Sequence, residues 1–499
     1  MICWGVRRRG RRLVCGEEVR DPKVIEETLG LISEFLMRVK KHKDMLLNDV
    51  NTPFDDSIKA LSGWMSSVVV VTERDKVIAE SKHAGHEAGK AMVKLLSQAR
   101  ERWFRTYKPE LEELIGKLQS GEAMIIITGD SFDKNKSFTA HLYMEHIAIE
   151  VERVAKSRSI TMNIKLTGLK GVSVIVSKLL SGNRLRAMQY GLLLTDGSIH
   201  DDGYPEMTTN HIWQAITFSL IFPGKVYMNI EGVSLSDDYV SITWRLRAIN
   251  YKGKFESKAK IAEKMNKLNN KEFMGFLLLA TLCDGLTDIE MKRIMLFIGN
   301  LKHNLWSGIV ERLVSYGFRE GDGGYRKIYT VWKSKAVAVA KSMLSNPKIR
   351  ALIEDLSQLP DAGKLRRLLM LSNMEIKPRG NSSVEVIKGL KMNIHVKPNG
   401  YIELRIKRKG YDNARSIWER LRKADYNAKL RQLSDRFFEV YITQIWFIDH
   451  PKLIIKICRV LRNMYEEAIG KSNAKRASVM AQVMTRLGCK DPAQTHGPK

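Results

Sequence analysis

The chain has 499 residues, and its 83 Lys+Arg against 55 Asp+Glu give a formal charge of +28. At ~100–200 residues per domain, that length predicts two to four domains with ample chain for real cores; 44% hydrophobic and 28% charged residues exclude wholesale disorder. The longest apolar run, Phe273–Cys283, is well short of the ~18 residues a membrane helix needs, so no membrane partner is expected.

Residues 1–20 read as a basic tail, and no apolar segment follows its Arg clusters, so no secretion signal is expected. The cysteines Cys3, Cys15, Cys283, Cys458 and Cys489 are odd in number and lack CxxC spacing. They imply neither a disulfide framework nor a zinc knuckle, and the simplest reading is a reducing, cytoplasmic compartment. Glutamine is scarce, nine residues in all, a weak lean toward a thermophilic source.

Residues 21–120 are expected to be helical, with VIEETLGLISEFLMRV and PELEELIGKLQ the clearest amphipathic runs. His83 and His86 share a helical face with Glu87, but no HExxH accompanies them and they read as a solvent-facing pair. Residues 121–182 form a small β-rich region, with strands in AMIIIT, FTAHLYMEHIAIEV, SITMNIKL and VSVIVSKL. Its GDSF segment, with Ser131 as nucleophile, would need an Asp-x-x-His near the C-terminus. Asp491 and His496 lack that spacing, so the segment reads as a strand-to-turn boundary. There is no P-loop or dinucleotide fingerprint, and the nine scattered tryptophans read as core.

Two segments repeat one pattern. RLRAMQYGLLLTDGSI (184–199) and KEFMGFLLLATLCDGLTDI (271–289) are apolar helical runs ending at Asp196-Gly197 and Asp284-Gly285. The glycines are expected as left-handed helix caps, and the small residues Gly191 and Ala280 should let two helices approach closely. A carboxylate would then sit at the end of each helix, and two such groups repel unless cations lie between them. Taken singly, Leu-rich helices ending in Asp-Gly are common; it is the pair that signifies.

QYGLLLTDG and LLLATLCDG resemble degenerate copies of the LAGLIDADG motif of homing endonucleases. The resemblance covers residues 184–345 and implies the fold: α+β, with two tandem LAGLIDADG-like α-β-β-α-β-β-α units (183–270 and 271–350). A helical N-terminal region and a basic α+β C-terminal domain (361–470) would flank them, with a polar tail over 471–499. It implies double-stranded DNA as partner and a monomer made self-sufficient by its internal repeats. Its catalytic residues map to Asp196 and Asp284 as Mg²⁺ ligands, Asn210 and Asn300 ordering water, and Lys333 and Arg245 shielding the phosphate. Leu194 and Leu282 replace an earlier motif acid, and Asp288 and Glu290 put negative charge where DNA would lie. Those departures fit a domesticated, non-cleaving descendant as the alternative. The whole-chain layout is also similar to a paralogous crenarchaeal family, the PaREP type.

Residues 361–499 hold 29 Lys+Arg and 13 Asp+Glu, densest over 391–410. A hairpin turning at Pro398-Asn399-Gly400 would point Ile402, Leu404 and Ile406 inward. Its second strand would show Glu403, Arg405 and Lys407 on the other side. Lys391, Lys397, Arg405, Lys407, Arg408 and Lys409 are the expected DNA-binding residues. A basic edge that blocks strand pairing is the competing reading.

Overall fold

The structure, a computed structural model, describes all residues except 8–11, 68–72, 134, 158, 325, 376–381, 398, 471–472 and 490–499. Asp491, His496 and Pro398 therefore lie outside the described residues. Two units, Met1–Met374 and Glu375–Lys499, each have their own apolar core.

The expected basic tail is instead a hairpin, β1 (Ile2–Arg7) and β2 (Leu13–Glu18). Its Arg run falls between the strands, so net composition hides apolar residues such as Ile2 and Trp4 that pack on the core. Cys3 and Cys15, on opposite strands of it, form a disulfide; Cys458 and Cys489 form a second, leaving Cys283 free and buried. The cysteine reading is thus corrected: both bridges span intervals, 12 and 31 residues, that no motif marks.

Five helices follow: α1 (Pro22–Lys41), α2 (Lys43–Leu46), α3 (Asp55–Ser66), α4 (Glu73–Arg102) and α5 (Lys108–Gln119). α1 starts where the Asp21 side chain accepts from Lys23 N and Pro22 presets the first turn. Then come β3 (Ile125–Gly129), β4 (Phe138–Tyr143), β5 (Ile147–Arg153), β6 (Ile160–Leu166) and β7 (Val172–Val176). The run FTAHLYMEHIAIEV, expected as one strand, breaks at Met144–His146 into the antiparallel pair β4–β5.

The first motif lies at the end of α6 (Gly182–Leu194). β8 (Gly197–Ile199), β9 (Pro205–Thr209), α7 (Ile212–Ile221), β10 (Gly224–Leu235), β11 (Val240–Ala248) and α8 (Lys258–Met265) follow. The second ends α9 (Asn270–Asp284), which opens with a capping box between Asn269 and Glu272. After it come β12 (Gly285–Asp288), β13 (Arg293–Gly299), α10 (Asn300–Leu305), α11 (Ser307–Ser315), β14 (Arg319–Asp322), β15 (Arg326–Trp332) and α12 (Lys333–Met343). Both runs lay their four strands in one spatial order, β8-β9-β11-β10 and β12-β13-β15-β14. The first set is continuous with the N-terminal strands in an eleven-stranded sheet, because β10 also pairs with β6 and β7. Helices α13 (Pro347–Leu356) and α14 (Gly363–Asn373) close this unit, so residues 361–374 belong here and not to the basic domain.

The second unit runs β16 (Ser383–Ile387), β17 (Leu390–Val396), β18 (Ile402–Lys409), α15 (Tyr411–Lys423), β19 (Lys429–Ser434), β20 (Phe437–Thr443), α16 (Pro451–Gly470) and α17 (Ala474–Arg486). Its sheet order is β16-β17-β18-β20-β19. Without β16, this is the same strand order a third time.

α6 and α9 pack side by side at a distance only glycine allows. A Cβ on Gly191 would lie 2.6 Å from the Phe276 carbonyl oxygen. α9 also offers α6 a glycine, Gly275, beside Arg184 and Met188. Gly197 and Gly285 are not left-handed caps: Gly285 is extended, and its Cβ would meet the Thr281 carbonyl at 2.5 Å. Glycine is required there by space.

Two outcomes follow from this packing. Gly191→Ala should lower stability by about 1–3 kcal/mol, read as a fall in Tm, because backbone and not a movable side chain opposes the methyl. Asp355, 1% exposed, accepts from Trp64 Nε1 (3.2 Å); burial pushes its pKa up to about 6 against Lys82 and that bond. The folded state therefore holds a proton that the unfolded carboxyl releases near pH ~4. That contribution is fully present below about pH 4 and is lost as pH rises through about 6. Asp355→Asn should stabilise the chain on the order of 2–3 kcal/mol at neutral pH and not at about pH 4, measured by thermal melts at both.

Candidate functional site

Each motif end is met by a lysine. Lys258, at the start of α8, donates Nζ to the Gly197 carbonyl (2.9 Å), and Lys364, from α14, donates to the Cys283 carbonyl (2.6 Å). Lys302 of α10 stands 3.7 Å from Asp284 Oδ2. Asp196 Oδ2 accepts from Gln214 Nε2 (2.8 Å), and Thr209 Oγ1 donates to the other end of that amide, fixing its orientation. Gln214 reaches Asp196 because the first turn of α7 follows directly on β9, whose neighbour β8 starts beside the carboxylate.

The two carboxylates feel each other. Burial raises the Asp284 pKa; Lys302 and Lys364 oppose that, while the Asp196 charge adds to it. Lys258 is held below the usual lysine range by burial and then by Lys302, with Asp284 and Asp196 pulling the other way. Burial also raises the Cys283 thiol. Asp361 caps α7 by accepting from Ile212 N and sits 3.9 Å from His211 Nδ1; burial drives both toward their neutral forms.

Of the residues expected here, Asp196 and Asp284 are brought together, and Asn300 lines a cleft with Asp284. Three are elsewhere. Asn210 is exposed at the end of β9, and the amide on Asp196 comes from Gln214, four residues on. Arg245 turns to Glu206 (3.2 Å), as does Arg247 (3.3 Å). Lys333 is exposed and follows the strand row Asp288–Arg293–Trp332, whereas Asp284 precedes the row Gly285–Leu296–Tyr329. Those rows are about 10 Å apart along the sheet. The residues missed were Gln214, Lys258, Lys302 and Lys364. Gln214 lay four residues from the expected Asn210 and Lys302 two residues from the expected Asn300, whereas Lys364 comes from beyond both repeats.

This donor set does not fit a pair of divalent ions. The Asp196 carboxylate is engaged by an amide, and three ammonium groups occupy the surroundings of the pair, where added positive charge is repelled. Among the described residues, the one three-member set of potential ligands is Glu110, Glu145 and His146, far along the chain. There Glu110 already accepts from the His146 and Ile147 amides and from His146 Nδ1, tying α5 to the β4–β5 turn. Of the pair expected to face solvent on α4, His83 is exposed and His86 is half-buried. Asp130 accepts from the Phe132 and Asp133 amides, making Ser131 part of a turn.

In the second unit, Ile402, Leu404 and Ile406 enter the core as expected, and Gly400 N closes the turn onto the Lys397 carbonyl (3.0 Å). The opposite face is less free than a cationic ribbon. Glu403, buried, binds Lys397 and Arg405; burial would raise its pKa, but those two bonds hold it below the usual range. Buried Glu439 binds Arg431 and lies 4.0 Å from Lys407. Lys391, Lys407, Arg408 and Lys409 remain exposed.

No protein-family model and no curated protein matches the chain. Among solved structures, full-length DUF199/WhiA from Thermatoga maritima aligns with 62% of this chain and 92% of its own length. Its sequence identity is 9% and the TM-score 0.24, too low for the likeness to carry an argument. Among the described residues, no helix is long and apolar enough to cross a membrane.

Lysines in place of ions predict a metal response. About 10 mM Mg²⁺ should leave the Tm of the native chain unmoved. The Lys258→Gln/Lys302→Gln variant, relieved of two ammonium groups, should gain a Mg²⁺-dependent rise. A Mg²⁺ shift already present in the native chain would show that the lysines do not displace the ion.

Proposed function

We propose that the chain is a monomeric, double-stranded-DNA-binding protein on two tandem LAGLIDADG-like units, and that it grips DNA without cutting it. The fold part of this reading is supported by the α-β-β-α-β-β-α order of the first run, repeated in the second with α10 and α11 in place of one helix, and by the shared strand order of the two. The paired helices meeting at Gly191 support it further. The observation that carries the silent chemistry is the set of lysines at both motif ends: Lys258 on Gly197, Lys364 on Cys283 and Lys302 beside Asp284. They do the job that ions would do in a nuclease, offsetting the repulsion of two carboxylates, but an ammonium is no Lewis acid and does not lower the pKa of a bound water as a divalent ion does.

Grip is assigned to charge. Residues 375–499 hold 26 Lys+Arg and 12 Asp+Glu, +14 of the +28 total. Lys391, Lys407 and Lys409 are exposed on the face of the Glu375–Lys499 sheet opposite the one that enters its core. An intracellular setting remains part of this reading, resting on the DNA partner and no longer on cysteine count.

The test is a gel shift with duplex DNA from about 50 to 300 mM salt, beside a Mg²⁺-dependent nicking assay. Binding should weaken steeply with salt, by about 0.9 log units per log unit of salt for each phosphate contacted, and no nicks should appear. Absence of binding at low salt would refute the DNA reading. Nicking that Asp196→Asn abolishes would instead establish the alternative, a Mg²⁺-dependent endonuclease using Asp196 and Asp284.

A further inference from the structure

A cleft of about 840 Å³ opens beside Asp284, walled by Lys156, Lys302, Arg326, Lys364, Asn300 and Phe297. Its cations come from four separate places: the β5–β6 turn, α10, the first residue of β15 and the start of α14. Three of the four are held in position by the chain itself. Lys364 is tethered to the Cys283 carbonyl, Lys302 faces Asp284, and the Arg326 guanidinium lies over the Phe297 ring at 4.3 Å. Four positive side chains line the concave surface with the Asp284 carboxylate, and the Asp196 charge also acts on that carboxylate. With cations outnumbering carboxylates on its wall, the cleft favours an anion.

We propose that this cleft binds the phosphomonoester of a nucleotide, either the 5′-phosphorylated end of a nucleic acid or a free nucleotide. A monoester carries nearly two negative charges at neutral pH, against one for each phosphate inside a strand, and so matches a multi-cation cleft better than a backbone phosphate does. The volume suits a mononucleotide and is too confined for a duplex. The Arg326–Phe297 pair is a ready platform for a base, since guanidinium planes and aromatic rings stack on bases without regard to sequence. Asn300 supplies an amide at the same wall. The strand-end form of the proposal rests on the DNA-binding reading; the free-nucleotide form does not.

The full chain decides it. Thermal melts with a nucleoside monophosphate and with the matching nucleoside test the free ligand. Fluorescence anisotropy with one oligonucleotide, with and without its 5′-phosphate, tests the strand end. The monophosphate should raise Tm while the nucleoside does not, or the 5′-phosphate should tighten oligonucleotide binding by about tenfold, the scale of one or two charge-assisted bonds. Lys302→Gln and Lys156→Gln should each reduce that phosphate-specific effect, and Lys341→Gln, on the exposed side of α12, should not. Lys156 sits on an exposed turn, so its variant keeps the test valid if Lys302→Gln fails to fold. No phosphate preference in either arm overturns the proposal, as does a preference that survives Lys156→Gln and Arg326→Gln. A monophosphate effect without any duplex binding would sustain the cleft and refute the DNA reading alone.

Discussion

Everything at the candidate site depends on how closely α6 and α9 approach. Because Gly191 has no side chain, the Phe276 carbonyl can rest against its backbone, and the two helices run together to their ends. Both ends carry an aspartate, so the packing that gives the core its centre also forces two negative charges toward each other. That repulsion must be answered locally. Here it is answered by Gln214 and three lysines drawn from α8, α10 and α14. A close-packed apolar contact thus determines where the polar groups of four other elements must go.

The same strand order recurs in all three sheets, and its chemistry differs each time. The first sheet is extended by the N-terminal strands, and acids on its open face are paired, as Glu150 is with Lys165. The second meets a cationic cleft at one end. In the Glu375–Lys499 unit, β16 takes the free edge of β17, no Asp-Gly helix precedes the order, and cations outnumber acids on the sheet. The scaffold thus occurs here without the carboxylate-bearing helix, and charge and motif lie in different parts of the chain.

The α+β class, the two Asp-Gly helix ends and the inward face of the 391–410 hairpin were legible in the sequence because each rests on local periodicity or on a dipeptide signal. The β1–β2 hairpin was not, since its arginines dominate the composition of a stretch whose apolar residues alternate. Both disulfides join positions with no spacing signature. The lysines at the motif ends were invisible for a different reason: an exposed-looking lysine announces nothing until a carbonyl far along the chain is folded against it. Lys333 shows the converse. Its position at a strand end matched a motif, but strand register places it beyond the far end of the sheet rows that start at the carboxylate.

The continuity of the first sheet has a consequence for what counts as the smallest viable form of this protein. In a four-stranded set ordered like this one, β10 would be an outer strand with open hydrogen-bonding groups; here β6 and β7 cover it. Trimming the chain to its two repeats would uncover that edge and strip the apolar side of the sheet of α1 and α4. The product would be a sticky template for strand addition. The N-terminal third is therefore the built-in guard of the first repeat, and the repeats cannot be harvested from it as an independent module.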